Sequence, residues 1–233
     1  MKLTFSAFIL IIIISIVSCG IDEFKHIPQI PPGDVRLELN TNAEITINPQ
    51  DFVDATGFTI FYKIYFSSEI SVFTDTRTLI TALNNDYNAL DSFTDPAATT
   101  TLISSNTFSN RGFYEINNTI GSNTQQIAIT FPEVPALIPF IEIDGNLENL
   151  ERSSKLNLPN FPQGQRYFRN TDELNITGNE SINNADVAAG GNSANATNHA
   201  FTLMYISAYG TENFRRVFGK PTLIGVLKLT NIR

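Results

Sequence analysis

Apolar and polar residues alternate most clearly from Gly57 to Phe66. There Phe58, Ile60, Tyr62, Ile64 and Phe66 take one side of an extended chain, and Phe61 and Tyr65 share the other with Thr59 and Lys63. Apolar residues on both sides predict a central strand covered from two directions. Residues 35–47 alternate as well, with a break at Asn40 to Asn42, and predict two strands joined by a turn. Further strands are predicted at residues 112–117, 125–131, 140–143, 201–209 and 222–230. The period changes between Asp75 and Phe93, where Leu79, Ile80, Leu83, Tyr87, Leu90 and Phe93 make one helical stripe. Thr74 or Asp75 can cap that helix, and Asp95-Pro96 ends it. Its polar face lacks the Lys and Arg of an interfacial helix, so the stripe is expected to pack on its own sheet. A short surface helix is expected around Leu147 and Leu150, supported by i,i+4 pairs Glu148–Arg152 and Glu151–Lys155.

The first 20 residues carry a different pattern. Lys2 precedes an isoleucine-rich apolar run, residues 3–17, which ends in Ile16-Val17-Ser18-Cys19-Gly20 and is followed by Asp22 and Glu23. The run is too short to span a bilayer, which takes about 20 apolar residues. It resembles a bacterial lipoprotein signal peptide with its lipobox, which implies cleavage between Ser18 and Cys19 and lipid attachment on the Cys19 sulfur. An ordinary secretory signal or a buried N-terminal strand is the alternative. Cys19 is the sole cysteine of the chain, so no intramolecular disulfide is open to it. Acylation accounts for it. Each buried CH₂ contributes about 0.8 kcal/mol, so two or three acyl chains would hold the domain at a membrane. The expected organisation is a signal peptide at residues 1–18, a lipidated cysteine with a proline-containing tether at 19–33, and a single β-rich domain at 34–233.

About 215 residues remain after such cleavage, enough to bury a core without disulfides. With 18 Phe, 7 Tyr and only 16% charged residues, the chain is aromatic and its surface is expected to be polar but nearly neutral. The net charge of -8 argues against a sequence-independent grip on nucleic acid, which depends on Lys and Arg. Residues 179–198, rich in Asn, Ala and Gly, are expected to form an exposed, mobile loop and the foremost candidate for a binding surface.

Gly57-Phe-Thr-Ile-Phe-Tyr-Lys-Ile-Tyr, Asn110-Arg-Gly-Phe-Tyr, Arg166-Tyr-Phe-Arg-Asn, Ala208-Tyr-Gly and Gly219-Lys-Pro-Thr-Leu-Ile-Gly together resemble a group of uncharacterised spirochaete lipoproteins. That resemblance implies a cell-envelope lipoprotein, facing outward or into the periplasm, and brings no catalytic residue with it. The strand beginning at Gly57 and the one at residues 201–210 are also similar to the C and F strands of a fibronectin type III sandwich. The expected fold is therefore mainly β: an elaborated immunoglobulin- or fibronectin III-like sandwich with one inserted amphipathic helix and long loops.

Little in the chain points to chemistry. His26 and His199 have no Cys or His at metal-ligand spacing, and neither Gly-x-Ser-x-Gly nor His-Glu-x-x-His occurs, so no zinc site, nucleophile or cofactor is expected. The acid pairs Asp22-Glu23, Asp172-Glu173 and Glu142-x-Asp144 would serve a glycan hydrolase only across a cleft of about 5 to 9.5 Å. Glu142 and Asp144 would share a strand face and make a weak calcium site or none. Gly190-Gly191 lacks the Lys-Ser/Thr of a phosphate loop, and the Asn-x-Ser/Thr sequons at Asn117, Asn175, Asn179 and Asn195 are expected by chance in an Asn-rich chain. The leading expectation is a non-enzymatic binding, adhesive or structural module tethered to the membrane through Cys19. A carboxylate-dependent glycan hydrolase and a small-solute-binding lipoprotein are the alternatives, the latter disfavoured by the missing β-α-β repeat.

Overall fold

The computed structural model describes residues 27–38, 41–67, 103–104, 108–109, 112–132, 138–156, 168, 199–212 and 214–229. Twelve strands run through them: β1 (Val35–Glu38), β2 (Asn42–Thr46), β3 (Gly57–Ser67), β4 (Ile103–Ser104), β5 (Tyr114–Glu115), β6 (Ile120–Gly121), β7 (Gln126–Thr130), β8 (Phe140–Ile143), β9 (Asn146–Asn149), β10 (His199–Glu212), β11 (Arg215–Phe218) and β12 (Thr222–Leu229). They form two antiparallel sheets, and the protein is a mainly β, sandwich-like fold. One sheet has the order β1-β2-β7-β8-β9, and the other the order β4-β11-β10-β3-β5, with β12 on β10 and β6 on β3.

The five-stranded sheet has one dry face. Ile45, Ile127 and Ile143 stand opposite one another across β2, β7 and β8, and Ala43, Ile129 and Ile141 make the parallel row. Between them Glu44, Thr46 and Glu142 are exposed, the alternation of a sheet with water on its far side. The β8–β9 hairpin turns through Asp144 and Gly145, both at positive φ (49° and 83°), the conformation a two-residue hairpin loop requires.

The seven-stranded sheet is buried on both faces around the long pair β3 and β10, whose register runs from Gly57 opposite Tyr209 to Ser67 opposite His199. Phe58, Ile60, Tyr62 and Ile64, with Met204, Ile206 and Ala208, face the other sheet and join one core. On the outer face Phe61 stacks on Phe108 with ring centroids 3.6 Å apart and meets Phe218 edge-on at 5.2 Å. This is the two-sided strand that the sequence predicts. Strands β11 and β12 follow one another along the same edge of β10, interrupted at Gly219–Pro221 where Gly219 N–H donates to the Ala208 carbonyl. Opposite a register shift in β10 at Met204/Tyr205, Gly225 has φ 138°, and a Cβ there would lie 2.7 Å from Leu37 Cδ2. Here the two sheets meet through the Leu37 side chain, and the positive φ is the part of the geometry that favours glycine.

Two expectations change. Residues 27–30 are not a free tether: Ile27 and Ile30 are buried in the core, Gln29 Nε2 donates to the Pro221 carbonyl at 3.1 Å, and the Thr222 hydroxyl donates to the Ile30 carbonyl. Prolines alone favour an extended spacer, but Ile27 packs where Gly210 and Gly219 leave room. The expected surface helix near Leu147 is also absent. Residues 146–149 form β9, Arg152 is 1% exposed, and Glu151 and Lys155 bond elsewhere. Pairing with β8 outweighs i,i+4 charge spacing in so short a segment. The expected helix at 75–93 and the loop at 179–198 lie outside the described residues.

Candidate functional site

Strand register assembles a polar cleft on the outer face of the larger sheet, near the start of β3. Glu115 of β5 is level with Phe61, and Arg216 of β11 is level with Thr211 of β10. Side chains at paired positions share a face, so the two reach toward each other across β3 and β10. Arg216 donates to Glu115 Oε2 at 2.5 Å, and Lys155 Nζ lies 3.6 Å from Oε1. The carboxylate is 14% exposed and both of its oxygens face cations. The Arg216 guanidinium also lies over the Tyr209 ring, 3.9 Å from its centroid, which fixes its plane by stacking as well as by charge.

The rim is made of amides and hydroxyls. Asn117 Nδ2 donates to Glu151 Oε2 at 2.7 Å, Asn118 Nδ2 donates to Glu148 Oε2 at 3.0 Å, and the Glu151 N–H donates to Asn118 Oδ1 at 2.9 Å. These bonds stitch the loop after β5 to the segment after β9, so the two asparagines are held in place from below. The cleft has a volume of about 420 Å³, and Thr59, Ser154 and Thr211 complete its polar lining. Glu115 is the one carboxylate among its lining residues, so the two-acid arrangement of a glycosidase is not assembled there. A second, larger recess of about 760 Å³ opens beside the short 3-10 turn Pro49–Phe52, between Asn48, Val53, Asn123 and Gln125.

Residues singled out by sequence are scattered. Cys19, Ser18, His26, Asp22, Glu23, Asp172, Glu173, Asn175, Asn179, Asn195 and Gly190-Gly191 lie outside the described residues. The backbone of His199 opens β10 opposite Ser67. Asp144 is occupied locally: its Oδ1 accepts from the N–H groups of Gln125 and Gln126, both at 2.9 Å, and so ties the β8–β9 turn to β7. Among the described residues no three His, Cys, Asp or Glu side chains come together as a metal site. Nor is any described helix long and apolar enough to cross a membrane. Asn117 is in the cleft rim, as a hydrogen-bonding amide. No local pattern in the sequence marks Glu115, Lys155 and Arg216 as a site, since 101 residues separate Glu115 from Arg216 and only the register of four strands, β5, β3, β10 and β11, joins them.

Known protein families, curated proteins and solved structures were all compared with the chain, and none of them matches it.

Proposed function

We propose that this chain is a membrane-anchored lipoprotein of the cell envelope, held through acyl groups on Cys19, whose β-sandwich binds a polar, uncharged ligand in the cleft between Asn117, Asn118, Thr211 and Arg216. The observation that supports the binding reading is the cleft itself. Its amides are braced by Glu148 and Glu151, and its guanidinium is stacked on Tyr209, so the polar wall of the cleft is already ordered before a ligand arrives. Glu115 supports recognition rather than acid–base chemistry, because both of its oxygens are already engaged by Arg216 and Lys155. Ser18-Cys19, after an apolar run too short to span, supports the anchor. Cell-surface or periplasmic placement follows from that export signal, with the outer membrane as the expected site of attachment.

The test is a binding screen of the purified chain against saccharide and peptide arrays and cell-wall fragments, followed by calorimetry on Asn117→Ala and Arg216→Ala. Both substitutions should weaken binding at least tenfold while leaving the circular dichroism spectrum unchanged. Ligand binding unaffected by either would remove the cleft from the reading, and release of cleaved products by the wild-type chain would replace it with a hydrolase.

A further inference from the structure

Among the described residues, Phe214 and Val53 are the large apolar side chains that water covers most, 103% and 82% exposed. Phe214 sits in the turn between β10 and β11 with φ 62°, a backbone conformation disfavoured for a bulky residue, and it holds its whole ring away from the protein. Neither feature helps the fold. The exposed Arg215 is its neighbour in the chain.

Two contacts show where this turn lies relative to the incoming chain. A Cβ at Gly210 would be 2.9 Å from Ile27 Cδ1 and 3.3 Å from the Asp54 carbonyl oxygen, so both Ile27 and the segment carrying Val53 flank β10 at Gly210. From Gly210 to Glu212, where β10 ends, the strand advances by about 7 Å. Phe214 follows directly, beyond the Glu212–Arg215 pair. Val53, Phe214 and the point at which residues arriving from Cys19 enter the fold therefore share one end of the sandwich. Ile27 is eight residues beyond Cys19, a span of at most about 28 Å when extended.

We infer that this end of the sandwich rests on the lipid surface in which the Cys19 acyl chains are embedded, with the Phe214 ring inserted at the headgroup boundary, Val53 beside it and Arg215 directed to lipid phosphate. The inference rests on the anchor reading and adds an orientation to it. An acyl tether this short keeps the turn within reach of the bilayer at all times, so even weak insertion is favoured by effective concentration. An aromatic ring with an adjacent Arg suits the interface, where the ring is withdrawn from water and the guanidinium remains hydrated.

The chain contains no Trp, so single indoles report on position without background. Lipidated full-length protein carrying Phe214→Trp or Val53→Trp is reconstituted into phosphatidylcholine vesicles containing lipids brominated near the headgroup. Ile138→Trp serves as the comparison, because Ile138 precedes Phe140, which pairs with Thr130 at the far end of the five-stranded sheet. The expected result is blue-shifted emission and bromine quenching for Phe214→Trp and Val53→Trp, with no bromine quenching for Ile138→Trp. Vesicle flotation with an unquenched indole at position 214 overturns the orientation and leaves the anchor standing. Protein that does not float with vesicles overturns both. A concentration-dependent blue shift of the Phe214→Trp, Cys19→Ala double variant in lipid-free buffer overturns it in favour of a second copy as the occupant.

Discussion

The hydroxyl of Tyr62, in the middle of β3, accepts a hydrogen bond from the backbone N–H of Ser153 at 3.1 Å, joining the larger sheet to the segment that follows β9. Tyr62 is fully buried, and its ring meets Phe168 edge-on with centroids 4.7 Å apart. One side chain thus secures two stretches that share no ladder with β3. Tyr62→Phe keeps the ring and removes the acceptor, and should lower unfolding free energy by about 1–3 kcal/mol, the cost of taking the partner from a buried donor. Urea denaturation checks this; a midpoint equal to wild type would mean that water replaces the phenol without loss.

Ile64 lies on the inner face of β3 and is fully buried. Truncation to Ala should cost about 2–5 kcal/mol through lost transfer energy and the cavity left behind. An unchanged thermal midpoint would contradict its place in the core.

Gly225 is expected to be among the least replaceable glycines. Gly225→Ala adds a Cβ 2.7 Å from Leu37 Cδ2 at a φ of 138°, and should cost about 1–3 kcal/mol. Adding Leu37→Ala to that variant removes the clash but not the backbone strain, so the double variant should be less stable than Leu37→Ala alone. Equal stability of those two proteins would show that the strain is relieved by movement of β12.

Cys19→Ala should leave an unlipidated chain that partitions into the aqueous phase of a detergent separation and takes up no labelled palmitate. Label retained by the variant would place the lipid elsewhere and remove the lipobox reading.

Much of the fold was legible where burial imposes a period. Residues 57–66 and 201–209 announce β3 and β10 because strands covered on both faces carry apolar residues on both, and residues 125–131 and 140–143 show the simpler alternation of a half-solvated sheet. Short elements were less legible. In β9 all four residues are exposed, so Asn146–Asn149 carries no burial pattern, and Glu148 with Glu151, Arg152 and Lys155 after the strand mimics helical spacing. Ile27 was hidden for the opposite reason: it fills space beside glycines nearly two hundred positions away, which no local window contains, and Ile30 is held by Thr222, equally distant in the chain. The cleft was invisible for the same reason. Glu115, Lys155, Tyr209 and Arg216 are unremarkable one by one, and become a site only when β5, β3, β10 and β11 take their register.

The close seat of Ile27 between Gly210 and Gly219 also has a mechanical consequence. If the chain is pulled from its N-terminal side, by a membrane that bends or a ligand that is dragged away, the force arrives at β10, β11 and β12 in the body of the larger sheet. It does not arrive at a peripheral loop. Ile27 and Ile30 must leave the core before that sheet can be loaded further, so they would yield first, as a short release of slack ahead of any strand separation.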